Sequence, residues 1–171
     1  MSVRATAYLL LLLGVAAMAA EQPPQLDLRS LDEMEDVSAW ESLASDGVSA
    51  SVHSGKGVEG NALVLEFNLA NTAGYAAATR KLPTKLPEDY EISFWMRAEA
   101  KRNHFEVKFV DASGDNVWWY RRANHQFSGD WQQVRIKRRQ IEFAWGPTSD
   151  KTLREFQSIE FVLAAGDEGG N

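Results

Sequence analysis

Apolar and polar residues alternate with a period of two along much of this 171-residue chain, which is the pattern of half-buried β-strands. The segment FEVKFVDASGDNVWW, residues 105–119, shows the pattern best, since Glu106 and Lys108 separate three apolar residues. The letters DASGDN that follow are typical of a turn, and VWWY then resumes a strand. This stretch predicts two antiparallel strands, each with an apolar face.

The same pattern predicts a series of short strands separated by turns rich in glycine, asparagine and aspartate. They are Leu31–Met34, Val48–Val52, Ala62–Asn68, Gly74–Lys81, Tyr90–Ala98, Phe105–Asp111, Asn116–Arg121, Gln132–Lys137 and Ser158–Ala164. Only Thr152–Gln157 has a helix-like composition. Many short strands with almost no helix predict an all-β fold, an antiparallel β-sandwich or jelly roll.

One set of alternate residues on these strands is apolar, and it predicts the core of a two-layer sandwich. Its members are Leu63, Leu65, Phe67, Ile92, Phe94, Met96, Phe105, Val107, Phe109, Val134, Ile136, Ile159, Phe161 and Leu163. The opposite set carries Glu66, Asn68, Trp95, Arg97, Glu106, Lys108, Gln133 and Arg135. A face of that composition is either solvent surface or a binding groove.

The beginning of the chain has the features of a signal peptide. Arg4 precedes an apolar run, Tyr8–Val15, and Ala17-Met18-Ala19 supplies small residues before a cleavage point at Ala20. We therefore predict a signal peptide over residues 1–19, a polar leader over 20–30 and one domain over 31–171. The mature protein is expected to be secreted or periplasmic in a bacterium and free of the membrane. Because the chain has no cysteine, an exported domain must be stabilised by its hydrophobic core.

Charge and the last residues add two expectations. The formal net charge of −6 argues against nucleic acid as a partner. Gly166–Asn171 reads as a turn that leads to no further strand, although a sandwich would normally place one there. The sequence therefore predicts a fragment of a longer protein, or a domain without its closing strand.

The order of short motifs resembles a known family. The motifs are MED with Trp40 after it, GNAL, YEISFWMR, the 105–119 segment, DW, AWGP and IEF, over residues 31–171. In this order they are similar to galactose-binding-like β-jelly-roll modules of secreted bacterial glycoside hydrolases, close to family-11-type and family-4-type carbohydrate-binding modules. Those modules finish with a strand that contains two aspartates, which this chain lacks.

The resemblance implies a partner, an architecture and a metal. The partner is a polysaccharide or oligosaccharide, and the module is a monomer joined covalently to a C-terminal catalytic domain. The resembling modules often hold a structural Ca²⁺ between the first strand, a glycine-rich loop and an aspartate of the last strand. Glu35 and Asp36 are the matching candidates here. No other cofactor is expected.

Two adjacent tryptophans on one strand point to opposite faces, so Trp118 and Trp119 cannot both be buried on the same side. Since Trp119 shares its parity with Val117, we predict Trp119 inward and Trp118 outward. Trp95 lies on the polar parity of its strand, and an exposed indole suits the apolar C–H face of a sugar ring. The predicted ligand-binding residues are Trp95, Arg97, Lys108, Asn116, Trp118 and Arg121. The alternative is core tryptophans beside a solvated face of cross-strand charge pairs.

A basic cluster stands out in this acidic chain. It comprises Arg121-Arg122 and the run Arg135–Arg139. Arginine matches carboxylate and sulfate groups bidentately, so the cluster could recognise an anionic polysaccharide. The alternative is a strand edge that its charges protect from aggregation.

The chain shows no catalytic motif for an enzyme, and its three histidines lack metal-ligand spacing. Two carboxylates on different strands, for example Glu66 and Glu106, could still form a hydrolytic pair. Three hypotheses follow. The first is a non-catalytic carbohydrate-binding module that tethers a glycoside hydrolase to polysaccharide. The second is a structural or protein-docking sandwich without glycan contact, and the third is a small jelly-roll glycanase or lyase.

Overall fold

The computed structural model describes residues 28–167. These residues form ten strands and one 3-10 turn at Arg138–Gln140. The strands are β1 (Glu41–Ala44), β2 (Ser49–Lys56), β3 (Asn61–Asn68), β4 (Tyr75–Lys85), β5 (Glu91–Met96), β6 (Asn103–Val110), β7 (Val117–His125), β8 (Gln132–Lys137), β9 (Glu142–Trp145) and β10 (Glu155–Ala165).

The strands form one large sheet and two ribbons, all antiparallel. The large sheet has six strands in the order β1-β4-β10-β6-β7-β9, and the ribbons are β2-β3 and β5-β8. β10 pairs with β4 on one side and with β6 on the other, so it is a central strand. Apolar residues of both ribbons join those of the sheet in one core cluster. The predicted all-β antiparallel jelly roll is confirmed.

The predicted core is confirmed residue by residue, since every member of the apolar set lies in or against this cluster. Phe94 of β5 contacts Phe105 and Phe161 of the large sheet, with ring centroids 6.3 and 5.1 Å apart. Trp40 stacks on Phe161 at 5.6 Å. Alternation sufficed for these residues because polar side chains separate most of them along their strands.

Some predicted elements are wrong. Leu31–Met34 is not a strand, and Met34 has a positive φ of 60°. The carboxylate of Asp32 organises this segment, because it accepts the Met34 N–H at 2.8 Å and the Trp40 indole N–H at 3.0 Å, and it pairs with Arg80. The sequence missed the short strands β1 and β9.

The helix predicted from the composition of Thr152–Gln157 is also wrong. Residues from Glu155 onward belong to β10, which has a strand on each side. Ladder hydrogen bonds and burial on both sides override local propensity in such a position.

The predicted signal peptide and most of the leader lie outside the described residues. The chain divides after Ser30 into two units, and the unit that begins at Leu31 contains every described strand. Within residues 28–167 no helix is long and apolar enough to cross a membrane.

Candidate functional site

The register between β6 and β7 decides which tryptophan faces outward. Phe109 of the core pairs with Trp118, whereas Lys108 pairs with Trp119. Because paired residues share a face of the sheet, Trp118 points into the core and Trp119 away from it.

Trp118 is therefore a scaffold residue, and its predicted outward position is wrong. Its side chain is only 6% exposed, and its indole N–H donates to the carbonyl of Lys151 at 2.8 Å. The ring packs edge-to-face on Phe143 at 5.5 Å. The prediction failed because it assumed that apolar Val117 faces the core. Val117 is buried, but it lies on the other side of the sheet, opposite Val110.

The side of the large sheet that faces away from the core carries a cluster of aromatic and charged residues, which we call the open face. Glu160, Lys108, Trp119 and Glu142 follow one another in a row across β10, β6, β7 and β9. Such a row is built by cross-strand pairing and needs no loop to position it. The open face consists of Tyr75, Glu106, Lys108, Trp119, Arg121, Trp145 and Glu160.

Lys108 lies at the centre of the open face. Its Nζ is 5.7 Å from the ring centroid of Tyr75 and 5.4 Å from that of Trp145, within cation–π range of both. Tyr75 is 41% exposed and Trp145 47%. The two exposed rings thus flank one ammonium group and are less than about 12 Å apart.

Trp119 completes the aromatic group. Its ring meets that of Trp145 edge-to-face, with centroids 5.8 Å apart, and the Arg121 guanidinium lies 5.5 Å from its centroid. Neither of these two indole N–H groups has an acceptor among residues 28–167. Both donors remain free for a ligand.

Charge on the open face is compensated internally. The carboxylate of Glu106, which is almost fully buried, lies 3.4 Å from the Lys108 ammonium and 3.0 Å from Nε of Arg121. Burial raises the pKa of Glu160 above its usual value, and the positive charge of Lys108 opposes this only in part. The face can therefore offer hydrogen bonds without a strong excess of either charge.

The turn between β6 and β7 is organised by one carboxylate, that of Asp111. Asp111 accepts N–H groups from Ser113 and Gly114, and the Asn116 amide donates to it at 2.6 Å. Partial burial raises the pKa of the Asp111 carboxyl, but the hydrogen bonds from Ser113 and Asn116 outweigh burial and hold that pKa below its usual value. This hydrogen-bonding pattern is that of a plain turn.

Asn116 belongs to this scaffold and does not face a ligand. Its side chain is buried, and its carbonyl oxygen accepts the Thr148 N–H at 2.8 Å. Gly146, with a φ of 133°, approaches it so closely that a Cβ would lie 2.4 Å from that oxygen. The predicted ligand role of Asn116 is wrong because its polar atoms are used inside the protein.

Trp95 and Arg97 lie on a different surface from Lys108 and Arg121. Their strand, β5, turns Phe94 into the core, so Trp95 faces away from the large sheet. The six predicted ligand-binding residues therefore do not form one site. Lys108 and Arg121 are on the open face, Trp95 and Arg97 on the ribbon β5-β8, and Trp118 and Asn116 inside.

The basic cluster is likewise divided. Arg121 pairs with Glu106, while the Arg122 guanidinium lies over the Tyr120 ring at 5.4 Å. Arg135 pairs with Glu91 at 2.6 Å on the ribbon. The cluster seen in the sequence is not one patch, because its two halves lie on different strands and in different layers.

Glu35 and Asp36 already have backbone partners. The Glu35 carboxylate accepts the Asn61 N–H at 3.3 Å, and Asp36 accepts that of Ser38 at 2.9 Å. The bonds from Ser38 hold the pKa of Asp36 below its usual value. Among residues 28–167 no three acidic, histidine or cysteine side chains converge on a point. Calcium at Glu35 and Asp36 stays a prediction.

The suggested hydrolytic pair is not brought together. Glu66 points away from the core on ribbon β2-β3, since its neighbours Leu65 and Phe67 pack against that core. Glu106 is on the open face of the other layer. The acidic neighbour of Glu106 is instead Glu160, one step diagonally across β6 and β10.

Sequence reasoning missed most of the open face. Alternation gives no orientation for Trp145, because the strand that contains it, β9, was not predicted. Tyr75, Glu160 and Trp119 become neighbours only through the order β4-β10-β6-β7. No local signal reveals that order.

Comparison with known proteins finds solved structures of similar fold. No protein-family model and no curated protein matches the chain. The family 11 carbohydrate-binding module of the cellulosomal cellulase Lic26A-Cel5E of Clostridium thermocellum superposes with a TM-score of 0.66 at 22% identity, over 83% of this chain and 87% of that one. The chain has the jelly-roll fold of these modules.

A second structure shows a family 11 module from Clostridium thermocellum in complex with a β-1,3-1,4-mixed-linked tetrasaccharide. Its TM-score is 0.65 at 22% identity, over 82% of this chain and 87% of that one. The solution structure of CtCBM11 superposes with a TM-score of 0.64 at 20% identity, over 83% and 88%. The predicted resemblance is thereby confirmed for the fold.

Proposed function

We propose that this chain is a non-catalytic carbohydrate-binding module whose ligand, a neutral polysaccharide, lies on the open face. The observation that carries the proposal is the pair of exposed rings, Tyr75 and Trp145, on either side of Lys108. The jelly-roll fold shared with glycan-binding modules supports it.

The chemistry of the open face suits a sugar chain. Aromatic rings accept the apolar C–H face of a pyranose, while N–H donors and carboxylate oxygens bind its hydroxyl groups. From β4 to β9 the sheet spans five adjacent strands, roughly 19 Å at the usual strand spacing. A linear glycan laid across the strands would therefore contact several consecutive sugar units.

The internal charge balance supports a neutral ligand. Glu106 contacts both cations of the face, and Glu160 lies opposite Lys108 as a second acidic group, so an anionic polymer would gain little from the cations. Because the sheet holds the side chains in place before binding, little conformational entropy is lost on association. A shallow face still leaves much of the sugar in water, so we expect modest affinity.

Affinity electrophoresis in gels that contain mixed-linkage β-glucan tests this proposal. Removing one stacking ring should cost roughly 1–2 kcal/mol, so Trp145→Ala should weaken retardation about tenfold or more, and Tyr75→Ala similarly. Trp95→Ala is the matched control, because it removes an exposed indole from the other surface. Full retardation of the Trp145→Ala variant in every neutral glycan that retards the wild type would refute the assignment.

The wider role follows from the predicted architecture. We propose that the module is exported by the signal peptide of residues 1–19 and tethers a covalently attached glycoside hydrolase to its substrate. The resemblance to modules of cellulases supports this. A reading frame that continues beyond Asn171 into a catalytic domain would agree with it.

One observation favours a second candidate, a glycan hydrolase. Glu160 and Glu106 are diagonal neighbours on β10 and β6, which places the two residues about 7–8 Å apart. Burial raises the pKa of Glu160, as an acid catalyst requires, while Glu106 lies between two cations. Release of reducing sugar by the purified protein, abolished in Glu160→Gln, would establish this activity. Retained glycan binding without any release would leave the binding module.

A further inference from the structure

The outer surface of ribbon β5-β8 carries a second aromatic group, which we call the ribbon face. Trp95 is 52% exposed, and it makes no hydrogen bond or ring contact with the described residues. It pairs across the ribbon with Gln133. A single exposed apolar side chain is ordinary on a protein surface, so the indole is informative only together with the cation beside it. The ribbon face consists of Glu91, Ser93, Trp95, Arg97, Trp131, Gln133, Arg135 and Lys137.

A stacked cation lies beside Trp95. The Arg97 guanidinium is 5.2 Å from the ring centroid of Trp131, and the ribbon register extended by one residue places these two opposite each other. A guanidinium over an aromatic ring is attracted to its face and keeps its N–H donors available at the edge. Arg97 also follows Trp95 by two positions, so both side chains point to the same side.

The ribbon face has an excess of positive charge. Arg135 pairs with Glu91, but neither Arg97 nor Lys137 forms an ion pair with a described residue. These uncompensated cations stand out in a chain whose formal net charge is −6. The contrast with the open face is one of pairing, since both cations there are held by Glu106.

We propose that the ribbon face is a second glycan-binding site, selective for polysaccharides whose sugars carry carboxylates. The sugar ring stacks on Trp95, and its carboxylate accepts two N–H bonds from the fixed guanidinium of Arg97. The Gln133 amide binds neighbouring hydroxyl groups, and Lys137 adds attraction for the chain. This site does not depend on the glycan assigned to the open face.

The two sites would act together on mixed polysaccharides. They lie on opposite layers of the sandwich, so one module could hold a neutral chain on one side and an acidic chain on the other. Binding at one face raises the effective concentration of the second ligand when both belong to one matrix. The protein would then prefer composite material to either purified polymer.

Affinity electrophoresis in gels that contain polygalacturonate tests the proposal. Trp95→Ala should weaken retardation about tenfold, and Arg97→Gln should do the same, because each removes one of the two main contacts. Arg97→Lys keeps the charge but loses the planar fork, so it should fall nearly as far. Lys56→Gln, which removes an exposed cation from β2, should leave retardation within about twofold.

Three results would overturn the proposal. The first is that polygalacturonate does not retard the wild type. The second is that Arg97→Gln and Lys56→Gln weaken retardation equally, which indicates general charge attraction. The third is equal retardation by dextran sulfate that Trp95→Ala leaves unchanged. Since Trp95 is exposed, its variant should keep the wild-type melting temperature. The two proposals fail independently, because the open face is tested with a neutral glycan and the ribbon face with polygalacturonate.

Discussion

The open face and the ribbon face use the same residue types in different states of pairing. On the open face, Lys108 and Arg121 share the buried carboxylate of Glu106, and the rings pack against one another. On the ribbon face, the Trp95 side chain has no partner among the described residues, and Arg97 has only the Trp131 ring among them. Ion pairs make the open face nearly neutral and hold its side chains in place. The ribbon face is cationic because Arg97 and Lys137 have no such pairs among the described residues.

The indole N–H groups separate scaffold from surface in the same way. Those of Trp40 and Trp118 donate to Asp32 and to the Lys151 carbonyl. Those of Trp119 and Trp145 have no acceptor among the described residues. A buried indole needs an acceptor, since an unsatisfied donor in the core is costly, whereas an exposed one can keep its N–H for water or ligand.

The largest effect should come from the scaffold beneath the open face. Trp118→Ala removes a buried ring and orphans the Lys151 carbonyl, so we expect a loss of about 3–5 kcal/mol in the free energy of unfolding. Urea denaturation measures it. The same change at exposed Trp145 should cost less than about 1 kcal/mol. Equal losses at the two positions would contradict the division between scaffold and surface.

An intermediate effect should follow from unpairing the open face. Glu106→Ala leaves two cations without their carboxylate and should lower the free energy of unfolding by about 2 kcal/mol. It should also make this face resemble the ribbon face, so that retardation by polygalacturonate increases and becomes less sensitive to Trp95→Ala. Glu66→Ala, an exposed position on β3, is the control. If both variants behave like the wild type, the charge network has no energetic role.

The smallest effect should be a pH-dependent one at Glu160. Since burial raises its pKa above the usual 4.5, the folded state favours the protonated form. That contribution to stability is complete below pH 4.5 and is lost as the pH rises through the folded-state pKa. Glu160→Gln should therefore raise the melting temperature at pH 7 by about 1–2 °C, a small effect because solvent screens this partly exposed group. At pH 4 the same variant should leave the melting temperature unchanged.

The opposite result would be equally informative. A lower melting temperature of Glu160→Gln at pH 7 would mean that the ionised carboxylate is stabilised by Lys108. The open face would then carry a stronger charge network than its geometry indicates.

Parity predicted the core well and the adjacent tryptophans badly. Phe105, Val107 and Phe109 alternate with charged residues, so their direction is unambiguous. In VWWY every residue is apolar or aromatic, so alternation does not show which residues face the core. Only the pairing of Trp118 with Phe109 resolves it.

Most of the strands, the core and the jelly-roll class could be predicted from alternation along the chain, because a strand that turns one face to the core has a period of two. The short strands β1 and β9 could not. The sequence also supplied the aromatic and cationic residues of both surfaces. The predicted site divides into two surfaces, and that division depends on how the layers of the fold are arranged. Alternation tells which residues leave the core, but an outward residue can belong to either layer, and sheet order alone assigns Lys108 to one and Trp95 to the other.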